Sequence, residues 1–259
     1  MTPGMNKNTV KTLLVNASSG FFARNFLRTD VSKIIGASGW MRVVALVPKS
    51  KLEFYKKEFT EPHIVFDILP ETRGLLAETI FEFIDHAAIH SKTAWMFHTT
   101  EFYRRGGNIF IRYPRLWLRR VFWWLGQFRV FRNFFRRIYY YIPSKAYAEA
   151  FDKYKPDAVF CPTMVYHDQL ILKEAKKRKI KTLGMVLSWD NLYTKTFLRV
   201  HPDHLFTQTA VIRDQAVVAG DYPKEKITVV GIPQYDRYFR KPPVSSREEF
   251  IKSLGGDPA

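Results

Sequence analysis

Residues 182–195 read TLGMVLSWDNLYTK. An apolar run passes without a break into Ser188, Trp189, Asp190, Asn191, Thr194 and Lys195. Short apolar runs that do not alternate with polar residues suit strands buried on both faces. Working outward, runs of the same kind recur as TLLVN (12–16), VVALV (43–47), HIVFDIL (63–69), DAVFCP (157–162), HLFTQT (204–209) and ITVVG (227–231). Between them lie amphipathic or charged segments such as SKLEFYKKEF (50–59), YHDQLILKEAKKRK (166–179) and TAVIRDQAVVAG (209–220), the last ending in Gly220 as a candidate helix C-cap. This alternation predicts an α/β fold: a Rossmann-like parallel sheet with helices on both faces. No internal repeat or low-complexity tract interrupts it.

In an open parallel sheet, ligands bind in the crevice beyond the carboxyl ends of the strands. After the first run comes NASSGFFARN (16–25), where Ser18, Ser19 and Gly20 form a small polar turn into a helix. The free N–H groups of such a helix start can bind an anion, although many such turns carry no ligand. After DAVFCP come His167 and Asp168 at another helix start. Asp168 is explained equally by capping and by the helix dipole, and a lone histidine is more often structural. In the opening stretch, Asp190 can take a proton from a hydroxyl, Trp189 can raise its pKa by excluding water, and Lys195 can offset phosphate charge. The alternative makes Asp190–Asn191 an Asx-type turn with Trp189 as packing. The residues alone leave both open. With no Cys-x-x-Cys and no carboxylate pair at ligand spacing, no metal site is expected, and the chain has neither a Gly-x-Ser-x-Gly nucleophile elbow nor a Walker-type phosphate loop.

The chain has 259 residues, 46% of them apolar, enough for one large domain or two small ones. A single cysteine, Cys161, rules out an internal disulfide framework and fits a reducing compartment. MTPGMNKNTVK lacks the apolar core of a signal peptide, so a cytoplasmic location is expected. The formal net charge is +17, and it is concentrated. Residues 102–148 hold many arginines and no acidic side chain, while the flanking regions are close to balanced.

Within that segment Trp117, Val121, Trp124, Phe128, Phe131, Phe135, Ile138 and Ile142 recur at alternating spacings of four and three, the period of one helix face. A membrane span is excluded. The window 117–136 contains Arg119, Arg120, Arg129, Arg132 and Arg136, a burden of about 12–17 kcal/mol on insertion scales. The composition instead suits a helix lying in the interface of an anionic membrane, with Arg115, Trp117, Arg119, Arg120, Trp123, Trp124, Arg129, Arg132, Arg136 and Arg137 as contacts. Two other readings stay open: an ordinary core stripe with a solvated arginine face, and, less favoured for want of a motif, a nucleic-acid surface.

The carboxyl-terminal stretch, RKPPVSS followed by SREEFIKSLGG, reads as a linker and the first helix of a further domain. Ser245 and Glu248 are spaced as a capping box, and Gly255–Gly256 as a stop.

Three segments, RNFLRTDV (24–31), AKKRKIKTLGMVLSWDNLYTK (175–195) and KITVVGIPQYDRYF (226–239), resemble patterns of GT-B superfamily glycosyltransferases. The similarity is to surface-polysaccharide enzymes of the CDP-glycerol glycerophosphotransferase and UDP-N-acetylglucosamine 2-epimerase-like kind, with SWDN and GIPQYD its most specific pair. The resemblance implies an amino-terminal, acceptor-side domain over residues 9–240 that carries the 102–148 insert. Residues 241–259 would lead into a donor domain not contained in this chain. It implies a nucleotide-sugar or CDP-activated donor held by that other domain, no cofactor in this one, and a lipid-linked or glycan acceptor at the inner face of the plasma membrane. Carried over by position, Ser18, Ser19 and Gly20 would line the cleft, and Arg24, Asn25, His167 and Asp168 are further substrate-binding candidates. Trp189, Asn191 and Lys195 would face substrate, with Asp190 as general base or acceptor-orienting group. Gly231, Pro233 and Asp236 would form the exit to the linker. Thr196 stands where the family usually has glycine, and the chain alone is expected to lack activity. A sugar-nucleotide 2-epimerase of the same fold and a non-enzymatic binding module are the competing expectations.

Overall fold

The computed structural model describes residues 10–71, 76–104, 106–165, 167–186, 188–240 and 245–257. Seven parallel strands form one sheet: β1 (Lys11–Asn16), β2 (Met41–Val47), β3 (Ile64–Ile68), β4 (Ala158–Cys161), β5 (Lys181–Met185), β6 (His204–Thr207) and β7 (Ile227–Val229). Their spatial order is β3-β2-β1-β4-β5-β6-β7, so the sheet grows outward in both directions from the β1/β4 pair. Each strand falls within or beside one of the apolar runs. Alternate residues of the central strands feed separate cores. Leu14, Val44, Leu46, Val159 and Cys161 point to one face, and Leu13, Val15, Val43, Ala45 and Val47 to the other.

The face holding Leu13 is covered by α1 (Gly20–Phe22), the π turn Ala23–Leu27, α2 (Asp30–Ser38) and α3 (Leu52–Glu58). The opposite face receives α4 (Leu76–Ala87), α5 (Lys92–Arg104), α6 (Ile109–Leu125), α7 (Arg129–Tyr141), α8 (Ala148–Tyr154), α9 (His167–Lys177) and α10 (Ala210–Val218). From this layer Phe81, Phe135, Tyr139, Phe151, Leu170, Ile171, Leu172 and Ile212 enter the core. The short α11 (Asp236–Phe239) and α12 (Arg247–Ser253) close the described chain.

The basic aromatic segment is two helices, not one. α6 ends at Leu125 and α7 starts at Arg129. A Cβ on Gly126 would overlap the carbonyl of Ala88, so the glycine lets the elbow lie against the α4–α5 connection. The break divides the stripe. Phe135 is buried and Phe131 packs beside it, whereas Trp117 is 68% and Trp124 is 54% exposed.

Beneath α7 lies a buried ionic network. Glu78 accepts from Tyr139 (3.0 Å) and pairs with Lys173 (3.2 Å) and Arg199 (3.3 Å), and Asp85 pairs with Arg199 (3.1 Å). Asp85 also accepts from the Phe197 N–H at 3.0 Å, which fixes the chain just beyond the SWDNLYTK stretch.

Two local expectations shift. Gly220 does not cap α10, whose C-cap is Ala219; the left-handed residue is Asp221, at φ 54°. Gly220 is needed for space, since a Cβ there would sit 2.6 Å from the Ala216 carbonyl oxygen. The capping box of α12 is Ser246 with Glu249, one residue later than Ser245 and Glu248. The linker residues 241–244 lie outside the described residues. No helix among the described residues is long and apolar enough to cross a membrane.

Candidate functional site

Polar side chains at the carboxyl ends of β1, β4 and β5 join in a continuous row across the point where strand order reverses, the place where open α/β sheets bind ligands. Asn16 ends β1. Its amide nitrogen donates to Asp168 at 2.5 Å, while its oxygen accepts from the Ser18 N–H at 3.2 Å. The second Asp168 oxygen accepts from the Thr163 N–H (2.9 Å), the Thr163 hydroxyl (2.6 Å) and the Met164 N–H (2.7 Å). Asn191 donates to the Thr163 carbonyl at 2.7 Å, and its oxygen lies 3.2 Å from the Ser188 hydroxyl. That hydroxyl also donates to Asp190, whose carboxylate meets Lys195 at 3.0 Å.

The row corrects several expected roles. Asp168 and Asn191 are fully buried and spend their polar atoms on protein, so they brace the strand-end loops and do not face substrate. Burial pushes the Asp168 carboxyl up to about 6, partly offset by donors from Thr163, Met164 and Asn16. Trp189 is 75% exposed and does not shield Asp190 from water. Burial works to raise the Asp190 pKa, but Ser188 and Lys195 outweigh it and hold the carboxyl below its ordinary value. The expected upward shift is therefore reversed, and Asp190 is an ionised, half-buried carboxylate at neutral pH. His167 opens α9 and is half-buried.

The other candidates gather on the opposite side of β1. The Ser19 hydroxyl and the Asn25 side-chain oxygen are buried and have no hydrogen-bond partner. Asn25 and Pro233 line an apolar cavity of about 370 Å³ with Phe21, Phe26, Phe160 and Met185. Pro162, Val186 and Gln208, each following a strand, line the same cavity, as do Met41 and Ala158, the first residues of β2 and β4, so it runs along the sheet face as far as its carboxyl edge. Arg24, Pro233 and Asp236 line an adjoining cleft of about 600 Å³. Gly231 adopts φ 74° as the chain leaves β7, a conformation open to glycine. Gly20 has open space where a Cβ would lie, so nothing steric demands it there.

No protein-family model matches the chain, and no curated protein sequence matches it.

The insert is tied to the row. The Ser91 hydroxyl, just before α5, donates to the Tyr193 carbonyl at 2.6 Å. A groove of about 700 Å³ among α4, α5 and α6 reaches Thr194, with Phe83, Phe97, Leu118 and Arg115 along its walls. Several expected membrane contacts are internal. Arg132 and Arg136 chelate Asp221, Arg119 pairs with Glu101, Arg120 lies over the Trp95 ring, and the Trp123 indole donates to the Ser91 carbonyl. These are corrected to structural roles, because their polar groups already have protein partners. Arg115, Trp117, Trp124, Arg129 and Arg137 remain exposed.

Asn16, Thr163 and Ser188 were missed by the sequence reading. Each is a polar residue at or just past an apolar run, the same position that singled out Asp190. His86 and His90 share a four-residue spacing, and the Nδ1 of each meets a backbone carbonyl, of Glu82 and Trp123 respectively. No group of three or more His, Cys, Asp or Glu side chains is arranged around a metal position among the described residues.

Proposed function

We propose that this chain is the amino-terminal, acceptor-side part of a GT-B glycosyltransferase of cell-surface polysaccharide synthesis, using a nucleotide-sugar or CDP-activated donor. In this reading it works on a lipid-linked acceptor from the cytoplasmic face of the membrane. The observation that carries the reading is a two-step tie between the helix bearing the exposed Trp117 and Trp124 and the loop bearing Asp190: Trp123 of α6 donates to the Ser91 carbonyl, and the Ser91 hydroxyl donates to the Tyr193 carbonyl. Trp117 and Trp124 enter the headgroup region, Arg115, Arg129 and Arg137 meet lipid phosphates, and the acceptor head reaches Asp190. Asp190, already ionised and held by Ser188 and Lys195, orients the acceptor hydroxyl.

The test is co-sedimentation with vesicles of phosphatidylglycerol and phosphatidylcholine at low salt, beside pure phosphatidylcholine. Binding is expected only to the anionic vesicles. Trp117→Ala with Trp124→Ala should weaken it at least about tenfold, because two large aromatic rings lose their burial. In the full-length enzyme this reading implies, Asp190→Asn should lower transfer by about tenfold or more. An unchanged transfer rate would remove Asp190 from the site. Absence of vesicle binding would remove the lipid acceptor and favour the 2-epimerase. Stronger binding to DNA than to vesicles would favour the binding module.

A further inference from the structure

Away from the strand ends, α5 and α6 enclose a cavity of about 230 Å³ near the start of α6. The helical rise puts it about 10–16 Å along α5 from Ser91, apart from the row of strand-end groups. Arg112, Arg115 and Arg119 line it from α6, and at these spacings they stand one above the other on one helix face. His98, Glu101 and Phe102 line it from α5, again three and four residues apart. Glu101 is the only acidic lining residue, and Arg119 already holds it. The Arg112 guanidinium lies 4.6 Å from the Phe102 centroid and donates to the Phe102 carbonyl through one terminal nitrogen. Its buried Nε has no hydrogen-bond partner. Arg115 has no carboxylate partner among the described residues and shares the Phe83 ring with Arg119, at 5.7 and 5.5 Å from the centroid. His98 is 3% exposed, and its buried Nδ1 is likewise without a partner.

We propose that this cavity binds a single phosphate group through Arg112, Arg115 and His98. Buried polar groups in folded proteins are nearly all hydrogen-bonded, so two unpartnered nitrogens beside one cavity single it out. Three arginines against one carboxylate leave two positive charges to neutralise, which matches a phosphate better than a carboxylate. A guanidinium presents a fork of donors suited to phosphate oxygens, and a neutral imidazole can add one more from Nδ1. Burial keeps His98 neutral, with its pKa pushed down to about 4. Gly106 and Asn108, just before α6, also line the cavity, so the positive end of the helix dipole favours an anion there. The inference goes beyond the transferase reading. Its site lies within the helical insert and its test needs neither turnover nor vesicles, so failure of one is distinguishable from failure of the other.

The experiment is titration calorimetry of the chain with inorganic phosphate at low salt and neutral pH, followed by soluble dihexanoyl phosphatidic acid. Phosphate should bind at one site with Kd below about 1 mM. Arg115→Ala changes an exposed side chain, so its thermal midpoint should match the parent while binding weakens about tenfold. His98→Phe, which keeps a ring and removes the nitrogens, should weaken binding by a similar factor. Arg112→Lys, which keeps the charge and loses Nε, should fall between parent and Arg115→Ala. Lys57→Ala, an exposed cation of α3, should leave affinity unchanged. Tighter binding of the phosphatidic acid than of phosphate identifies a lipid headgroup as the source, and equal or weaker binding a free phosphate; both support the proposal. It is overturned if the parent does not bind phosphate, if Arg115→Ala binds it normally, or if Lys57→Ala weakens it equally.

Discussion

Asp221→Asn is the sharpest probe of how the arginine-rich insert is used. Asp221 is 5% exposed at its side chain and chelates Arg132 at 2.6 and 2.7 Å and Arg136 at 2.7 Å. Asparagine keeps the shape and tolerates the left-handed backbone at φ 54°, so the substitution removes charge and little else. Breaking a buried ion pair from one side costs about 3–5 kcal/mol. The lower end applies, because Arg136 keeps the carbonyls of Phe197, Leu198 and Gly220, and Arg132 keeps that of Gly126. A loss of about 3 kcal/mol lowers the thermal midpoint by about 6–12 °C in a chain of this size. Arg129 pairs with the same carboxylate at 3.8 Å but is 72% exposed, so Arg129→Ala should cost below about 1 kcal/mol. Urea unfolding at neutral pH reads both. Burial works to raise the Asp221 pKa, and Arg132 and Arg136 more than reverse it, so the net shift is downward. The stabilisation is present above the unfolded carboxylate pKa of about 3.9 and is lost as pH falls through the lower folded value, where the variant's deficit should close. The folded variant should bind anionic vesicles like its parent. Equal small costs for both variants, or lost vesicle binding in Asp221→Asn, would refute the internal role of Arg132 and Arg136.

Gly126→Ala forces a Cβ into the Ala88 carbonyl, which is backbone and cannot turn aside, so about 3 kcal/mol or more should be lost in urea unfolding. Gly106→Ala, with open space around it, should stay within about 0.5 kcal/mol. His98 and His201 are both pushed down to about 4, first by burial and then by neighbouring arginines. The unfolded chain takes up these protons near pH 6.5 and the folded chain does not. Stability is therefore full above about 6.5 and falls as pH drops towards 4, by about 3 kcal/mol for each histidine. Asp168, raised to about 6, works in the opposite sense and offsets part of this. Urea midpoints between pH 7 and pH 4.5 should fall, and His201→Gln should flatten the slope; a pH-independent midpoint contradicts both burials.

The sheet was legible because each strand is an apolar run bounded by polar or glycine residues, and a strand buried on both faces needs little else. The insert was less legible. The spacing from Trp117 to Ile142 continues unbroken through a helix end, because Gly126 is stopped by a tertiary contact with Ala88 that no local pattern encodes. The same limit applies to the arginines. Arg129 and Arg132 are near neighbours in sequence, yet only Arg132 reaches inward, and Asp221, its partner, lies far along the chain. At strand ends, position could be read but direction could not. Asp168 and Asp190 occupy similar places in the pattern, and one faces Asn16 and Thr163 while the other faces Lys195.

That difference bears on what chemistry the row can support. A strong general base needs a pKa near the working pH and access to the substrate proton. Asp168 has the raised pKa but is sealed under its donors, and Asp190 is accessible but held ionised by Ser188 and Lys195. Neither combines the two properties. Glycosyl transfer tolerates this, because its oxocarbenium-like transition state makes the attacking hydroxyl acidic as the new bond forms. A weak carboxylate base then suffices, provided it holds the hydroxyl in line. Proton abstraction from carbon, as a 2-epimerase requires, has no such relief. The depressed pKa of Asp190 therefore favours transfer over epimerisation if Asp190 is the reacting carboxylate. The rate of Asp190→Glu, which keeps the charge and shifts the hydroxyl, should fall nearly as far as that of Asp190→Asn if orientation is the main contribution.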